Sequence, residues 1–452
     1  MAFGMFSTDS TVGSRSLKSR RKIFWQFPSG ATPLMGLLSY LPSEETDKAE
    51  FGQYERRFPT QKTTTVGTGT SPFLNQDGSA AGTPITVVPN TEYIVIVLDV
   101  REFKPTHVIE LRDLDLTSGT DSIRGTVTDV IVTSGNAGRI KFRPYSAPSS
   151  TILNGTTNNN GKSVTIIGTA NAEGGRSGQG ITVAPINPTN YTQIFRAAFA
   201  ISRTALKGGL EYDKSGPYKN LRFENGLRYM MEMEKAFIFG EKHTVNVTDP
   251  DTSESTPETK TGGVIYHLKQ WEAANSVYRG GTGAAAITAN TDPDKRIIDC
   301  GGSITKSDFN TYISRLFKKT NDKAYEKLCL CGGRALEAVN TLFERQVQKN
   351  VLMEEKSTKA KFIVHSLETL RGTVHFKVHP ILDNDTDTDD MMLFLDLGNL
   401  SYRPLTDSDT QFLKGRQETD RDGRKDEWIG EAGLQCLFPE SHMLLQNVST
   451  AV

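Results

Sequence analysis

The chain reads as an α+β protein. Three observations predict this class: short alternating segments across 84–168, three helical stripes between 217 and 349, and a return to strands and turns after 360. At 452 residues it is too long for one core, so two or three domains are expected. Hydrophobic residues at 36% and charged residues at 23% fit a globular chain. No apolar run nears the roughly 20 residues of a membrane span. The opening "MAFGMFSTDSTVGSRSLKSRRKIFW" lacks the apolar core of a secretory signal. A net charge of −1 argues against a dedicated nucleic-acid binder, whose affinity comes from many Lys and Arg contacts to phosphate.

In chain order, residues 1–60 read as an extended arm. Its polar start carries a basic cluster, Arg15, Lys18, Arg20, Arg21 and Lys22, which is either a solvated tail or a segment facing packaged nucleic acid. In "GATPLMGLLSYLP", Pro33 suits a first helical turn, and Leu34, Leu37, Leu38 and Leu41 recur at helical spacing. With no partner nearby in sequence, this piece is expected to pack on another domain or another subunit. Residues 61–83 are Thr/Gly/Ser-rich and are expected to be a flexible loop or linker. Candidate strands follow at 92–100, 106–111, 125–133, 139–143 and 164–167, a spacing that suggests a small barrel or sandwich. Residues 169–190 are again loop-like.

The apolar segment 191–206 leads to a long helix at about 217–241, where Phe223, Leu227, Met230, Met231 and Phe237 are expected to share the core face and Glu224 pairs with Arg228. Residues 244–262 read as a polar loop. Two more helices are expected at about 306–319 and 333–349; Thr305 and Asp308 resemble a capping box for the first. Beyond 360, "KFIVHS", "TVHFKVHP", "MMLFLDL", "EAGLQCLF" and "HMLLQNV" read as strands.

No catalytic, cofactor or metal constellation emerges. In "NGTTNNNGKSVTIIG" the phosphate-loop pattern needs glycine at position 156, which is Thr156, and a strand-like run follows where a helix is required. The pair Ser303-x-x-Lys306 and Lys260-Thr261-Gly262 has the order of penicillin-binding enzymes reversed and lacks the S-D-N element. His375 and His379 lie four apart on an expected strand, about 13 Å from each other, so they cannot share a metal and are expected at a surface or interface. "DNDTDTDD" has Thr388 and Phe394 where a calcium loop needs Gly and Glu. Cys300, Cys329, Cys331 and Cys436 lack zinc spacing and read as free thiols.

Several segments resemble the major capsid proteins of tailed double-stranded DNA phages with the Hong Kong 97-like fold. "GATPLMGLLS" resembles that family's N-terminal arm, and Pro33, Leu34, Leu37 and Leu38 are its expected contacts. "ENGLRYMMEMEKAFIFGE" resembles the spine helix with its apolar-Gly stop at Phe239-Gly240. "IIGTANAEGG" with "NYTQIFRAAFAISRTAL" is similar to the approach to the main fold. "MMLFLDLGNLSYRPL" and "GEAGLQCLFPESHMLLQNV" are similar to the last peripheral strands, with Glu431, Pro439 and His442 in the family's places. "KGRQETDRDGRKDEW" replaces the family's Gly-Asp stretch, and the 84–168 region is longer than simple members need.

The resemblance implies an N-terminal arm at 1–58, an extended loop at 59–83 and 169–195, and an inserted β-barrel-like domain at 84–168. It implies a peripheral domain with the spine helix at 196–260 and 381–452, and an axial domain at 261–380. The implied function is not enzymatic. It is self-assembly, as hexamers and pentamers, into an icosahedral shell around the phage genome, in the virion after assembly in the host cytoplasm. Implied partners are the chain itself, a separate scaffolding protein in place of a fused helical leader, a portal at one vertex, a decoration protein and non-specifically held DNA, with no membrane. Alternatives are the shell of a cellular encapsulating compartment or a phage surface adhesin.

Overall fold

A wall of strands organises the main body. In the computed structural model, which describes residues 32–39, 41–57, 61–66, 72–79, 84–153, 159–175, 178, 180–208, 216–248, 254–279, 286–318, 325–343, 365–369, 371–417, 419–420 and 422–451, the chain is mixed helix and sheet. The strands Ile297–Asp299, Met443–Gln446, Met392–Leu395, Glu326–Cys331, Gly372–Val378 and His365–Thr369 form one six-stranded sheet in that order. Successive side chains of a strand point to opposite faces, and here both faces are covered. Leu328, Leu330, Leu393, Leu395 and Leu444 enter the cluster around the long helix. Cys329, Cys331, Met392, Phe394, Met443 and Leu445 enter a second cluster with Phe309, Ile313, Leu316, Val339 and Phe343. Burial on both sides is why "LCLC" and "MLFL" are apolar without alternation. The sheet takes strands from either side of residue 380, so the boundary expected there runs through a shared core.

The helices below this sheet are Lys306–Lys318 and Gly333–Phe343. The first starts on the expected capping box: Asp308 N–H donates to Thr305 Oγ1 at 3.2 Å, and that hydroxyl donates to Asp308 Oδ2 at 2.6 Å. The end expected for the second, 344–349, lies outside the described residues.

On the other side lies the long helix, Pro217–Phe239, opened by Pro217 and stopped by Gly240. A Cβ on Gly240 would sit 2.3 Å from Ala236 O and 2.6 Å from Thr261 O, so only glycine lets the chain turn there. The helix packs on a second sheet of Gln193–Ile201, Arg424–Cys436 and Leu400–Pro404, with Gln411–Leu413 also paired to Arg424–Cys436. Phe195 meets Tyr229 and Phe237 edge-on at 6.5 and 6.2 Å. The buried stripe is therefore Tyr229, Met233, Phe237 and Ile238, with Glu234 among them. Of the expected core residues Phe237 holds, Leu227 and Met231 are half-buried, and Phe223 and Met230 are exposed. The correction has a plain cause. Apolar residues surround this helix on several sides, so spacing alone leaves the face undecided, and the aromatic surface of the sheet selects it.

Seven strands between residues 62 and 169 form an antiparallel sheet in the order Lys62–Thr64, Ser163–Thr169, His107–Leu116, Gly119–Ser134, Ala137–Pro144, Tyr93–Val97, Phe73–Leu74, so the segment 61–83, expected as a loop, supplies both a first and a last strand. Its first strand also bonds the sixth: Val66 N–H donates to Ile96 O at 2.9 Å and Leu98 N–H to Thr64 O at 3.0 Å. The sheet thus closes on itself around its own cluster, which includes Val95, Val97, Ile109, Leu111, Leu114, Ile140, Phe142 and Val164. The phosphate-loop look-alike ends in one of these strands, Ser163–Thr169, as its β-branched run predicts.

Residues 244–262, expected as a loop, contain instead a two-stranded ribbon, His243–Thr248 paired with Ser255–Lys260. Nearly every strand residue is exposed. Water on both faces removes the apolar alternation that marks a strand in sequence.

Replacing Phe237 with Ala should cost about 3–5 kcal/mol of unfolding free energy, as expected for a fully buried aromatic. Replacing Val245 in the ribbon should stay within about 0.5 kcal/mol. Urea unfolding of the two variants checks the contrast; equal losses would contradict the assigned core.

Candidate functional site

The arm helix Pro33–Leu38 is the expected amphipathic piece, and it lies on the chain's own long helix. Pro33, Leu34 and Leu38 are buried and Leu37 is half-buried, packed with Phe237, Ile238 and Leu400 in one cluster. Its first turn has unpaired backbone N–H groups, as every helix start does. Glu234 supplies the acceptor. Leu34 N–H donates to Glu234 Oε1 at 2.8 Å and Met35 N–H to Oε2 at 2.6 Å. Negative charge is favoured at a helix N-terminus.

His379 completes the site. Glu234 and His379 are both fully buried, with His379 Nε2 at 2.8 Å from Glu234 Oε1. His379 Nδ1 accepts from Ile381 N–H at 3.2 Å, so the ring proton is assigned to Nε2, which donates to the carboxylate. This corrects the surface or interface expectation for His379: the strand ends at Val378, and His379 turns inward to cap the short helix Pro380–Asp383. His375 stays on its strand and meets Ser366 Oγ at 2.9 Å.

A second polar node surrounds the turn Pro439–Ser441. Arg57 places Nε 2.6 Å from Glu440 Oε1 and Nη2 3.0 Å from Oε2, a bidentate pair, and also reaches Glu55 at 3.0 Å. Arg296 Nε donates to Glu440 O at 2.7 Å. Lys327 Nζ, fully buried, lies 2.6 Å from Asp396 Oδ2 and 3.2 Å from Ser441 O. Asp396 N–H donates to His442 Nδ1 at 3.1 Å. The strap after the arm helix, the six-stranded sheet and the last turn of the chain are tied at one point. Pro439 and His442 form part of it, and Glu431 holds the neighbouring Thr192 hydroxyl at 2.6 Å.

Among the described residues no group of three or more His, Cys, Asp or Glu could hold a metal ion. In the acidic stretch, Asp383 accepts from Gly333 N–H at 2.8 Å and Asp389 pairs with Arg334 at 3.4 Å, while Asp385 and Asp387 face solvent. All four cysteines are free, three of them buried. No helix among the described residues is long and apolar enough to cross a membrane. The basic cluster Arg15, Lys18, Arg20, Arg21 and Lys22 lies outside the described residues.

The model of a protein family described as SU10 major capsid protein matches residues 9–449. The chain belongs to the SU10 major capsid protein family. It is thus a phage head shell protein, part of the virion. Among curated proteins none matches it. Similar solved structures include the satellite phage P4 procapsid (13% identity, 64% of this chain and 80% of that chain, TM-score 0.35). The capsid of cyanophage P-SCSP1u gives 10% identity, 64% and 81% coverage, and TM-score 0.37. The holo-SrpI encapsulin complex of Synechococcus elongatus PCC 7942 gives 10%, 59% and 77%, and 0.33. These likenesses are partial, and the family match carries the assignment.

The two polar nodes fasten the arm helix and the strap after it to the body of the same chain. Sequence reasoning found the arm residues but missed Glu234 and Arg57, the groups that fasten the segment. One weak signal was present for Glu234: in "MMEMEKAFIF" it lies three residues before Phe237 and four before Ile238, at the spacing of one helix face.

Two buried histidines of the capsid protein, His442 and His267, impose a pH response. Burial pushes His442 down to about 3, with the Lys327 charge adding to the effect. Burial likewise pushes His267 down to about 4, with Lys242 adding. In the unfolded chain both titrate near 6.5. Below about pH 6.5 the unfolded chain therefore binds protons that the folded chain refuses, and stability falls as pH falls towards 4, and towards 3 for His442. The urea midpoint of the unassembled protein should drop from pH 7 to pH 4.5. His442→Asn, whose Oδ1 can replace Nδ1 as acceptor, should be less stable at pH 7 but show a shallower drop. A variant curve as steep as the wild type would contradict this.

Proposed function

We propose that this capsid protein assembles as hexamers and pentamers into an icosahedral shell of Hong Kong 97 type around packaged double-stranded DNA. The family match across residues 9–449 is the observation that carries this reading. The architecture supports it: a sheet-walled body, a long helix behind it, and an arm, a barrel and an exposed ribbon available for contacts between copies. In this reading 1–58 is the arm, 59–83 and 169–195 the extended loop, and 84–168 the inserted β domain, whose sheet also takes in Lys62–Thr64 and Phe73–Leu74; 196–260 with 381–452 and 261–380 are the peripheral and axial parts, which share the six-stranded sheet. Repetition of modest contacts closes such a shell, since each standard interface buries roughly 1,600 Å². A separate scaffolding protein, a portal at one vertex, a decoration protein and assembly in the host cytoplasm belong to the same proposal. So does a role without catalysis, and a basic segment at Arg15–Lys22 that faces DNA.

Negative-stain microscopy of the purified chain should show closed shells or six-fold rings. A chain that stays monomeric at every concentration and salt level would contradict the proposal. Small shells loaded with an enzyme in place of DNA would move it to an encapsulating compartment.

A further inference from the structure

The second sheet ends on an open edge. Gln193–Ile201 is bonded to Arg424–Cys436 on one side and, among the described residues, to no strand on the other. Its register shows which groups are left over. Glu431 N–H donates to Ser408 O at 2.8 Å and Glu431 O accepts from Leu405 N–H at 2.9 Å, so Glu431 bonds away from its partner Ile194. Lys425, opposite Ala200, does the same, its carbonyl accepting from Arg416 N–H at 2.8 Å. In an antiparallel pair such residues alternate with bonded ones. Ile194, Arg196, Ala198 and Ala200 therefore aim their backbone N–H and C=O groups outward, and among the described residues nothing bonds them there. Their side chains are exposed, and no proline or bulge blunts the edge. The long helix lies chiefly over this strand. A helix is about 10 Å across and strands are about 4.8 Å apart, so the helix also roofs the position next to the edge.

The exposed ribbon is a strand pair in want of a third. Two strands with water on both faces are marginally stable alone. Pro257 has no N–H and lies opposite Asn246, so this pair cannot exchange both bonds. It is the non-bonded kind, and Thr244, Asn246 and Thr248 aim their backbone groups away from Ser255–Lys260. His243–Thr248 is thus the better free edge, since the outer edge of Ser255–Lys260 lacks a donor at Pro257. It is also the strand farther from its own body: within one chain Ser255–Lys260 lies beside Gln193–Ile201, with Thr259 Oγ1 donating to Thr192 O at 2.6 Å.

We propose that His243–Thr248 of a second copy adds to the edge Ile194–Ala200 as an antiparallel strand. The pleat supports this pairing, because residues that bond across an antiparallel pair put their side chains on one face. Thr244, Asn246 and Thr248 then share the wet face with Arg196. Val245 and Val247, both exposed in the single chain, share the helix-covered face with Phe195 and Phe199 and leave water. A parallel strand would reverse the two faces. A ribbon on one copy meeting an edge on the next is a head-to-tail contact, the kind that closes rings. The inference rests on the reading that copies of this chain assemble.

Cysteine trapping on mixed full-length chains tests it, in a Cys300→Ala background, since the other native thiols, Cys329, Cys331 and Cys436, are buried. One chain carries Ala198→Cys. The other carries Asn246→Cys or Thr244→Cys, the two positions that in-phase registers set opposite Ala198. All three positions are exposed, so the substitutions leave the fold intact. Mild oxidation should link the two chains through one of these pairs at least about tenfold more than through Ala198→Cys with Val245→Cys, whose side chain lies on the other face. Equal yield from Val245→Cys would overturn the proposal. So would a link that forms only within a single chain carrying both cysteines. Shells or rings that form without either link overturn this contact alone; a chain that stays monomeric overturns it together with the assembly reading.

Discussion

A carboxylate removed from water must find donors inside the protein, and Glu234 finds three: two backbone N–H groups of the arm helix and the imidazole of His379. Leaving any of them unmade costs about 1–3 kcal/mol, more for a charged group. The position of the arm is therefore not a matter of apolar contact alone. Leu34 and Leu38 can slide on a greasy surface, but two N–H groups bonded to two oxygens of one side chain set register and direction. His379 holds that side chain from the other side and is itself held by the turn that begins at Pro380. Three distant stretches, 33–38, 217–239 and 379–383, become one unit.

The same logic recurs at the Pro439–Ser441 turn. Arg57 joins the strap to Glu440, Arg296 holds the Glu440 carbonyl, and Lys327 with Asp396 lies fully inside. Such buried pairs are not a route to extra stability over apolar packing. Their value is that few arrangements satisfy them. Here they give the arm helix and the strap after it one position on the body of the chain. The apolar wall of the six-stranded sheet supplies the rigid ground: its central strand Glu326–Cys331 gives leucines to one cluster and cysteines to the other.

Much of this was legible in the residues. Strand alternation in "RIKFR" and the β-branched run after Lys162 located barrel strands, and the long helix expected at about 217–241 runs from Pro217 to Phe239. What stayed hidden depended on partners. The inward face of the long helix was set by Phe195 and the sheet beneath it, so Phe223 and Met230 were misplaced. The helix Val264–Glu272 carries Val264, Leu268 and Trp271 at helical spacing, yet the two glycines before it hid its start. The ribbon His243–Thr248 escaped because nothing apolar covers it. Glu234 could be noticed as an acid among methionines, but its bond to residues two hundred positions away is a fact of the fold.

Amide hydrogen exchange on the full chain tests the central claim, that Glu234 sets the arm. In Glu234→Gln the side chain keeps its shape but loses its charge and one of its two acceptor oxygens. The account predicts at least roughly tenfold faster exchange at residues 34–38, with the barrel strand His107–Leu116 unchanged. Unchanged protection at 34–38 would contradict it.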